Sequence, residues 1–188
     1  MEKIKQKIND VFKKSSKFEL IELYDIDVKE DPVRPELSVK FRTSHGKKIY
    51  GLKDNNGEIM SVICLAFTND VPTSVDELDI MCQDAAGPMA LRGGLAGRIA
   101  VAYTVWSKKK GGGKHIINEI YKKFKGSHYI ERLVTLSPLT EMAEDFHIKN
   151  GAKLLKRNET TQNFEYDITL EQWTSYLDRV KKFLKLNR

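Results

Sequence analysis

A lysine- and glycine-rich segment is the part of the sequence best suited to binding an anion. It reads KKKGGGK and leads into a stretch with helical spacing. Because glycine has no Cβ, consecutive glycines let the backbone adopt positive φ and turn several N–H groups toward one ligand. The N-terminus of the following helix adds partial positive charge, and the lysines add full charges. The segment therefore predicts a phosphate-binding loop. Its residues are Lys108, Lys109, Lys110, Gly111, Gly112, Gly113 and Lys114.

The spacing within this loop excludes two common phosphate-binding motifs. The nucleoside triphosphate loop requires G-x-x-x-x-G-K-[ST], but Lys108 occupies the first glycine position and His115 follows Lys114. The dinucleotide motif G-x-G-x-x-G fails because Ile116 stands where its third glycine is required. A lysine-rich surface turn with flexible glycines is the remaining alternative.

The segments around the loop predict a βαβ unit. Residues 98–106 read as a strand, residues 115–124 as a helix with Ile116, Ile120 and Phe124 on one face, and residues 131–137 as a second strand. Two strands joined in this way lie parallel with a right-handed crossover. Open α/β sheets bind ligands beyond the carboxyl ends of such strands. The glycine loop lies at that position.

The remaining segments complete an α/β pattern. Strands are expected in residues 17–28, in "SVKF" at 38–41, in 47–53 and in 58–67, with the turn at Asn56-Gly57 joining the last two as a hairpin. A short helix is expected near 74–82, followed by a flexible glycine-rich link. Residues 140–151 predict a helix ended by Gly151, and residues 152–168 predict a strand pair.

Amphipathic helices are expected at both ends of the chain. The apolar residues at helical spacing are Ile4, Ile8, Val11 and Phe12 in the first helix and Leu170, Trp173, Leu177, Val180 and Leu184 in the last. The apolar face of the last helix either packs on the core or binds a partner.

Length and composition are those of one globular domain. A chain of 188 residues with 40% hydrophobic and 31% charged residues suits a single core over 1–188 and excludes disordered and fibrous classes. We expect a cytoplasmic protein, because no apolar run reaches the about 18 residues that span a bilayer and "MEKIKQKIND" lacks a signal-peptide core. Cys64 and Cys82 are expected to be reduced core thiols, and no metal site is expected.

The positive charge indicates an anionic partner. The net charge is +6 and the isoelectric point is about 9.1. Nucleic acid, a membrane surface and a phosphate-bearing cofactor are all compatible with it. Basic stretches such as "KKIYGLK" contain aromatic residues, but no recognised nucleic-acid motif is present, so nucleic acid is the weaker choice.

The loop resembles the pyrophosphate loop of the GNAT acyltransferases, whose pattern is (Gln or Arg)-x-x-Gly-x-(Gly or Ala) between a strand and a helix. Here Lys108-x-x-Gly111-x-Gly113 fits, with Lys replacing the usual first residue. The resemblance implies an α/β GNAT-like fold with a mixed sheet flanked by helices. It also implies coenzyme A bound between diverging strands, with Val105 and Trp106 as backbone contacts.

A longer resemblance covers about residues 58–168. "ICLAFTNDVPTSVDEL", "IAVAYTVWSKKKGGG", "VTLSP" and "NFEY" occur in the order found in the catalytic domain of malonyl-CoA decarboxylases. This implies a lyase of fatty acid metabolism that uses malonyl-CoA, with Ser137 of "TLSP" as a catalytic residue. The family's catalytic histidine has no counterpart just before "NFEY", where Asn158 stands near the expected place.

His147 is the second candidate catalytic residue. It lies four residues before Gly151, in the position of the tyrosine with which acetyltransferases protonate the leaving thiolate. In a decarboxylase, Ser137 would hold the carboxylate or the thioester oxygen and His147 would donate a proton. In an acetyltransferase, His147 would be the acid, with Asp79, Glu141 or water as the base.

Other readings of these residues stay open. Ser137-Pro138 also fits a helix start, with serine as N-cap and proline at the first helical position. A second class of function is a non-catalytic module that binds coenzyme A or nucleic acid. The sequence favours an acyl-CoA enzyme of malonyl-CoA decarboxylase type, ahead of an N-acetyltransferase acting on an amine.

Overall fold

The computed structural model describes residues 18–90 and 97–169. The strands are β1 (Phe18–Leu23), β2 (Lys48–Asp54), β3 (Ile59–Thr68), β4 (Ile99–Ser107), β5 (Arg132–Thr135), β6 (Ser137–Pro138), β7 (Lys153–Arg157) and β8 (Thr161–Tyr166). The helices are α1 (Val39–Thr43), α2 (Val75–Ala90), α3 (Gly112–Phe124) and α4 (Glu141–Lys149), with a 3₁₀ turn at Val28–Glu30. The terminal helices and most of the glycine-rich link predicted from the sequence lie outside the described residues.

The strands form one mixed sheet with the order β1-β2-β3-β4-β5-β8-β6, and β7 pairs with β8. β4 and β5 are parallel, as the βαβ pattern predicts, while the other pairs are antiparallel. The β2–β3 hairpin turns at the predicted Asn56-Gly57, where Gly57 has φ of 82°. The predicted α/β mixed sheet flanked by helices is confirmed.

Helices cover both faces of the central strands. Along β3, alternate side chains enter two different clusters, because successive residues of a strand point to opposite faces. One cluster includes Ile116 and Ile120 of α3, and the other includes Leu78 and Cys82 of α2. Coverage on both faces explains why β3 is buried along almost its whole length and reads as a continuous apolar run.

Four predictions about the elements are wrong in detail. The strand expected over 17–28 ends at Leu23, and Val28 begins a 3₁₀ turn. "SVKF" is not a strand, because the Ser38 side chain accepts a hydrogen bond from Phe41 N (3.2 Å) and starts helix α1. The helix expected near 74–82 continues to Ala90, so part of the expected flexible link is helical. The strand expected at 131–137 is interrupted at Leu136 and resumes as β6.

None of the helices in residues 18–90 and 97–169 combines the length and the apolar character that a bilayer crossing requires.

Candidate active site

The parallel strands β4 and β5 separate halfway along β4. They pair from Ile99 to Ala102, and a backbone hydrogen bond from Leu136 N to Ala102 O (2.9 Å) follows at the end of this pairing. The pairing of β4 with β3 also shifts here, so that Tyr103 has no direct partner in the register. Such a bulge bends its strand and increases the local twist. Beyond it, β4 and the chain leaving β5 are free to diverge.

A cavity of about 260 Å³ fills the gap between the separated strands. Its walls come from the second half of β4, the β6 segment, α4 and a loop before α1. The lining residues are Pro32, Val33, Ala102, Tyr103, Thr104, Val105, Trp106, Ser107, Gly113, Ser137, Pro138, Thr140, Met142, Ala143, Phe146 and His147. These described lining residues include no Lys, Arg, Asp or Glu, so the cavity is apolar with a few neutral polar groups.

Ser137 and His147 meet at this cavity. Thr140, not Ser137, is the N-cap of α4, because its side chain accepts a hydrogen bond from Ala143 N. The alternative reading of Ser137-Pro138 as a helix start is therefore wrong, and these residues form β6. The helix then carries His147 back over the serine, and Ser137 Oγ lies 2.8 Å from His147 Nε2. Residues ten apart in sequence thus form a hydrogen-bonded pair.

His147 is neutral at physiological pH. Its side chain is buried, stacks on the ring of Phe164 at a centroid distance of 5.0 Å and lies edge-on to Phe146. Burial away from water disfavours the imidazolium and lowers the pKa of His147 to about 4. The imidazole therefore has one N–H and one lone pair available to its neighbours.

Two further hydroxyl groups extend the pair. His147 Nδ1 lies 2.9 Å from the hydroxyl of Tyr166 on β8, and burial raises the pKa of Tyr166, so the phenol keeps its proton. On the other side, Ser137 Oγ lies 3.1 Å from Thr135 Oγ1, which also accepts a hydrogen bond from Phe164 N (3.1 Å). The site is thus a hydrogen-bonded row of four side chains.

The loop before α1 is fixed to β4 by a buried ion pair. Asp31 and Arg42 are fully buried, with Oδ2 and Nη2 at 2.9 Å. Asp31 also accepts a hydrogen bond from Thr104 Oγ1 (2.8 Å), and Thr104 lines the cavity. This holds the neighbouring Pro32 and Val33 as one cavity wall.

The predicted cofactor-binding residues are spread over the edge of this cavity and the start of α3. Val105, Trp106 and Gly113 line the cavity. Gly111 has φ of 83° and is the N-cap of α3, as expected for a glycine loop leading into a helix. Lys114 lies beside the loop and lines a second cavity of about 650 Å³ between the start of α3 and the end of α4.

Other parts of the loop serve packing. Gly112 is buried against β3, where an added Cβ would lie 2.7 Å from Met60 O. The amides of Lys108 and Lys109 both donate to the same Met60 O, at 2.9 and 3.1 Å. These two N–H groups are therefore already bonded within the chain, which leaves the amides nearer the start of α3 as the candidates for a ligand.

The lysines differ in their charge partners. Lys108 pairs with Glu30, and Lys109 pairs with Asp54 at 2.7 Å and with Glu58. Within the part of the chain that the structure describes, Lys110 and Lys114 are exposed and form no ion pair. They are the lysines of the loop whose charge is not neutralised by a described neighbour.

Three residues considered from the sequence lie elsewhere. Asp79 pairs with the buried Lys47 (2.5 Å), and Glu141 is exposed in the first turn of α4; neither lines the cavity between β4 and β5. Asn158 holds the β7–β8 turn through hydrogen bonds to Thr161 Oγ1 and Asn163 Oδ1. Among the described residues, no group of three or more His, Cys, Asp or Glu side chains is arranged to hold a metal ion.

Sequence reasoning missed Tyr166, Thr135 and Asp31. Tyr166 and Thr135 stand inside the quoted "NFEY" and "VTLSP", but nothing in their spacing indicates that β8 and β5 bring them to one histidine. Asp31 lies in the proline-containing loop between the 3₁₀ turn and α1. Its burial depends on its ion pair with Arg42, eleven residues later, and no local sequence pattern predicts that pair.

The fold is similar to several solved structures. The GphF GNAT-like decarboxylase in complex with isobutyryl-CoA aligns with a TM-score of 0.59 over 80% of this chain and 99% of that chain, at 9% identity. The loading GNATL domain of CurA from Lyngbya majuscula aligns at 0.55 over 81% and 98%, at 12% identity. The chain has a GNAT-like fold.

A malonyl-CoA decarboxylase from Agrobacterium vitis is also similar to this GNAT-like chain. It aligns with a TM-score of 0.50 at 13% identity. The alignment covers 81% of this chain but only 41% of the decarboxylase. At these identities the likeness is one of fold. No protein-family model and no curated protein matches the chain.

Proposed function

We propose that this chain is an acyl-CoA enzyme that decarboxylates malonyl-CoA to acetyl-CoA and CO₂. The observation that carries the proposal is the Ser137–His147 pair at the wall of an apolar cavity between separated strands. The acyl thioester would lie in this cavity, with its diphosphate at the amino end of α3 near Gly111 and Lys114. The similarity in fold to a GNAT-like decarboxylase in complex with isobutyryl-CoA is consistent with this placement.

The apolar lining favours loss of CO₂. Decarboxylation converts a localised carboxylate charge into neutral CO₂ and a delocalised enolate. A cation beside the carboxylate would stabilise the starting state, and the described lining contains none. An apolar cavity with neutral hydrogen-bond donors therefore suits the departure of the carboxylate better than its retention.

Each group then has a defined task in the reaction. The bond between the α-carbon and the carboxylate breaks, and its electron pair moves into the thioester to form the enolate. The backbone of β4 at Val105 and Trp106 is the candidate for holding the thioester oxygen. The α-carbon then takes up one proton from the Ser137 hydroxyl, which is hydrogen-bonded to His147 and is the candidate donor, and a proton from solvent returns to the pair. One proton is consumed for each CO₂ released.

Acetyl transfer to an amine fits the same site less well. That reaction requires a base to deprotonate the amine, for which Asp79, Glu141 or water is the candidate, and His147, with a pKa of about 4, would add only a weak base at neutral pH. Asp79 and Glu141, the carboxylates considered for this role, do not line the cavity. No observation on the described residues favours the transferase over the decarboxylase.

The proposal is tested by supplying the full chain with malonyl-CoA and following acetyl-CoA and CO₂ by mass spectrometry. Turnover is expected, and Ser137→Ala should reduce it by about 100-fold, the lower end of the effect of a positioned proton donor. A parallel reaction contains acetyl-CoA and a panel of amines. Amine acetylation without decarboxylation would overturn the proposal and identify a transferase instead.

A thermal shift panel separates binding from chemistry. Coenzyme A, acetyl-CoA and malonyl-CoA should each raise the Tm of the chain and of Ser137→Ala, because a ligand that binds the native state stabilises it by mass action. If none of these three compounds raises the Tm, the chain does not use acyl-CoA.

A further inference from the structure

Tyr166 approaches the proposed reaction centre from the side away from Ser137. It is almost completely buried on β8, its hydroxyl lies 2.9 Å from His147 Nδ1, and it touches the cavity between α3 and α4. In a neutral imidazole one ring nitrogen carries hydrogen and the other accepts. The partner of Nδ1 therefore decides whether Nε2 carries the hydrogen. This in turn decides whether Nε2 donates a hydrogen bond to Ser137 or accepts one from it.

The hydrogen bonds on the two sides of His147 point to the same choice. When the Ser137 hydroxyl donates to Thr135 Oγ1, its hydrogen is not directed at His147, and Nε2 then donates to Ser137 Oγ. From the other side, a phenol that keeps its proton in a buried position is a good donor, and His147 Nδ1 is its acceptor. Both bonds are made together when the hydrogen of His147 is on Nε2.

We propose that Tyr166 is a positioning residue that holds His147 in the Nε2–H tautomer, so that the site presents hydrogen-bond donors to the acyl group. The hydrogen bonds then run in one direction, from Tyr166 to His147 Nδ1 and from Nε2–H to Ser137 Oγ. The Ser137 hydrogen turns from Thr135 to the substrate when an acyl group is bound. The catalytic part of this statement rests on the proposed decarboxylation, whereas the tautomer does not.

This arrangement deepens the proposed function by naming the chemistry that the site can supply. Such a pair stabilises an enolate or a thioester oxygen, and it offers no basic nitrogen to an amine, because the lone pair of His147 is on Nδ1 and is bonded to Tyr166. The substrates that fit are acyl thioesters in which negative charge develops next to the carbonyl, such as malonyl thioesters losing CO₂. Acceptors that must be deprotonated do not fit.

The tautomer is measured directly by the ¹⁵N chemical shifts of the His147 ring in the full chain without ligand, assigned by comparison with His147→Gln. At pH 7 the expected spectrum has a protonated Nε2 and an unprotonated, hydrogen-bonded Nδ1. A protonated Nδ1 would overturn the inference, whatever reaction the protein catalyses. This readout is independent of turnover, so its failure is distinct from failure of the proposed function.

The kinetic test uses Tyr166→Phe, with Tyr121→Phe as the matched control. Tyr121 lines the same second cavity but does not contact His147. Tyr166→Phe is expected to shift the Nδ1 resonance and lower kcat by about tenfold with KM for malonyl-CoA nearly unchanged, whereas Tyr121→Phe should change neither. If Tyr166→Phe retains full kcat with an altered ring spectrum, Tyr166 does not position the reaction. If this variant fails to fold, the ligand-free spectrum of the unmodified chain still decides the tautomer.

Discussion

His147 should make the protein less stable in mild acid. In the folded chain its pKa is lowered from 6.5 to about 4 by burial, whereas the unfolded chain exposes it to water. Below pH 6.5 the unfolded state therefore binds a proton that the folded state does not. Because the unfolded state then binds more protons, the free energy of unfolding falls as the pH falls.

The size of this effect follows from the two pKa values. Each unit of pKa difference corresponds to about 1.4 kcal/mol. At pH 5 most unfolded chains but few folded chains carry the proton. The free energy of unfolding is therefore about 2 kcal/mol lower at pH 5 than at pH 7.5. This loss approaches about 3 kcal/mol as the pH reaches 4, where the folded His147 begins to titrate and the loss levels off.

The assay is urea unfolding of the chain and of His147→Gln at several pH values from 7.5 to 4.5. Glutamine does not titrate, so the difference between the two curves isolates His147 from the carboxylates and the other histidines. His128, which is exposed, provides the matched control, because His128→Gln should leave the acid sensitivity unchanged.

The reasoning is refuted if the chain and His147→Gln lose stability in parallel between pH 7.5 and 5. That result would mean that His147 is protonated as readily in the folded state as in the unfolded state. The neutral donor described above would then not exist at the pH at which the site works.

Two other predictions concern the scaffold of the site. Gly112→Ala should lower the free energy of unfolding by about 1 to 3 kcal/mol, because its Cβ would lie 2.7 Å from a backbone oxygen of β3. Gly87→Ala, in a helix with open space around the new Cβ, should instead be neutral or stabilising by about 0.5 to 1 kcal/mol, and urea unfolding of both variants checks the contrast. Asp31→Asn should destabilise the fold by about 3 kcal/mol, because it leaves the buried Arg42 charge without its counter-ion. Chemical denaturation measures this loss, and a change below about 1 kcal/mol would show that the pair does not hold the cavity wall.

The central βαβ unit could be predicted from the sequence because its signals are local. The apolar runs of β4 and β5, the helical spacing in α3 and the glycines before it all lie within forty residues. "SVKF" shows the limit of such signals. Its alternation of polar and apolar residues suits a strand. The Ser38 side chain, however, accepts a hydrogen bond from Phe41 N and so starts a short helix.

The site could be predicted only in part, because its contacts are set by the packing of distant elements. The sequence indicates Ser137 from a motif and His147 from its position before Gly151, each as a separate candidate. Their mutual distance depends on where Thr140 begins α4, which the sequence did not reveal. Tyr166 reaches His147 from a strand nineteen residues away, and such contacts leave no periodic pattern in the sequence.

The most direct measurement is a crystal structure of the chain with a non-decarboxylating malonyl-CoA analogue. The account predicts the acyl group between β4 and β6, within hydrogen-bonding distance of Ser137 Oγ, and the diphosphate beside Gly111 and Lys114. An analogue bound outside the gap between the strands, with Ser137 still bonded only to Thr135 and His147, would contradict it.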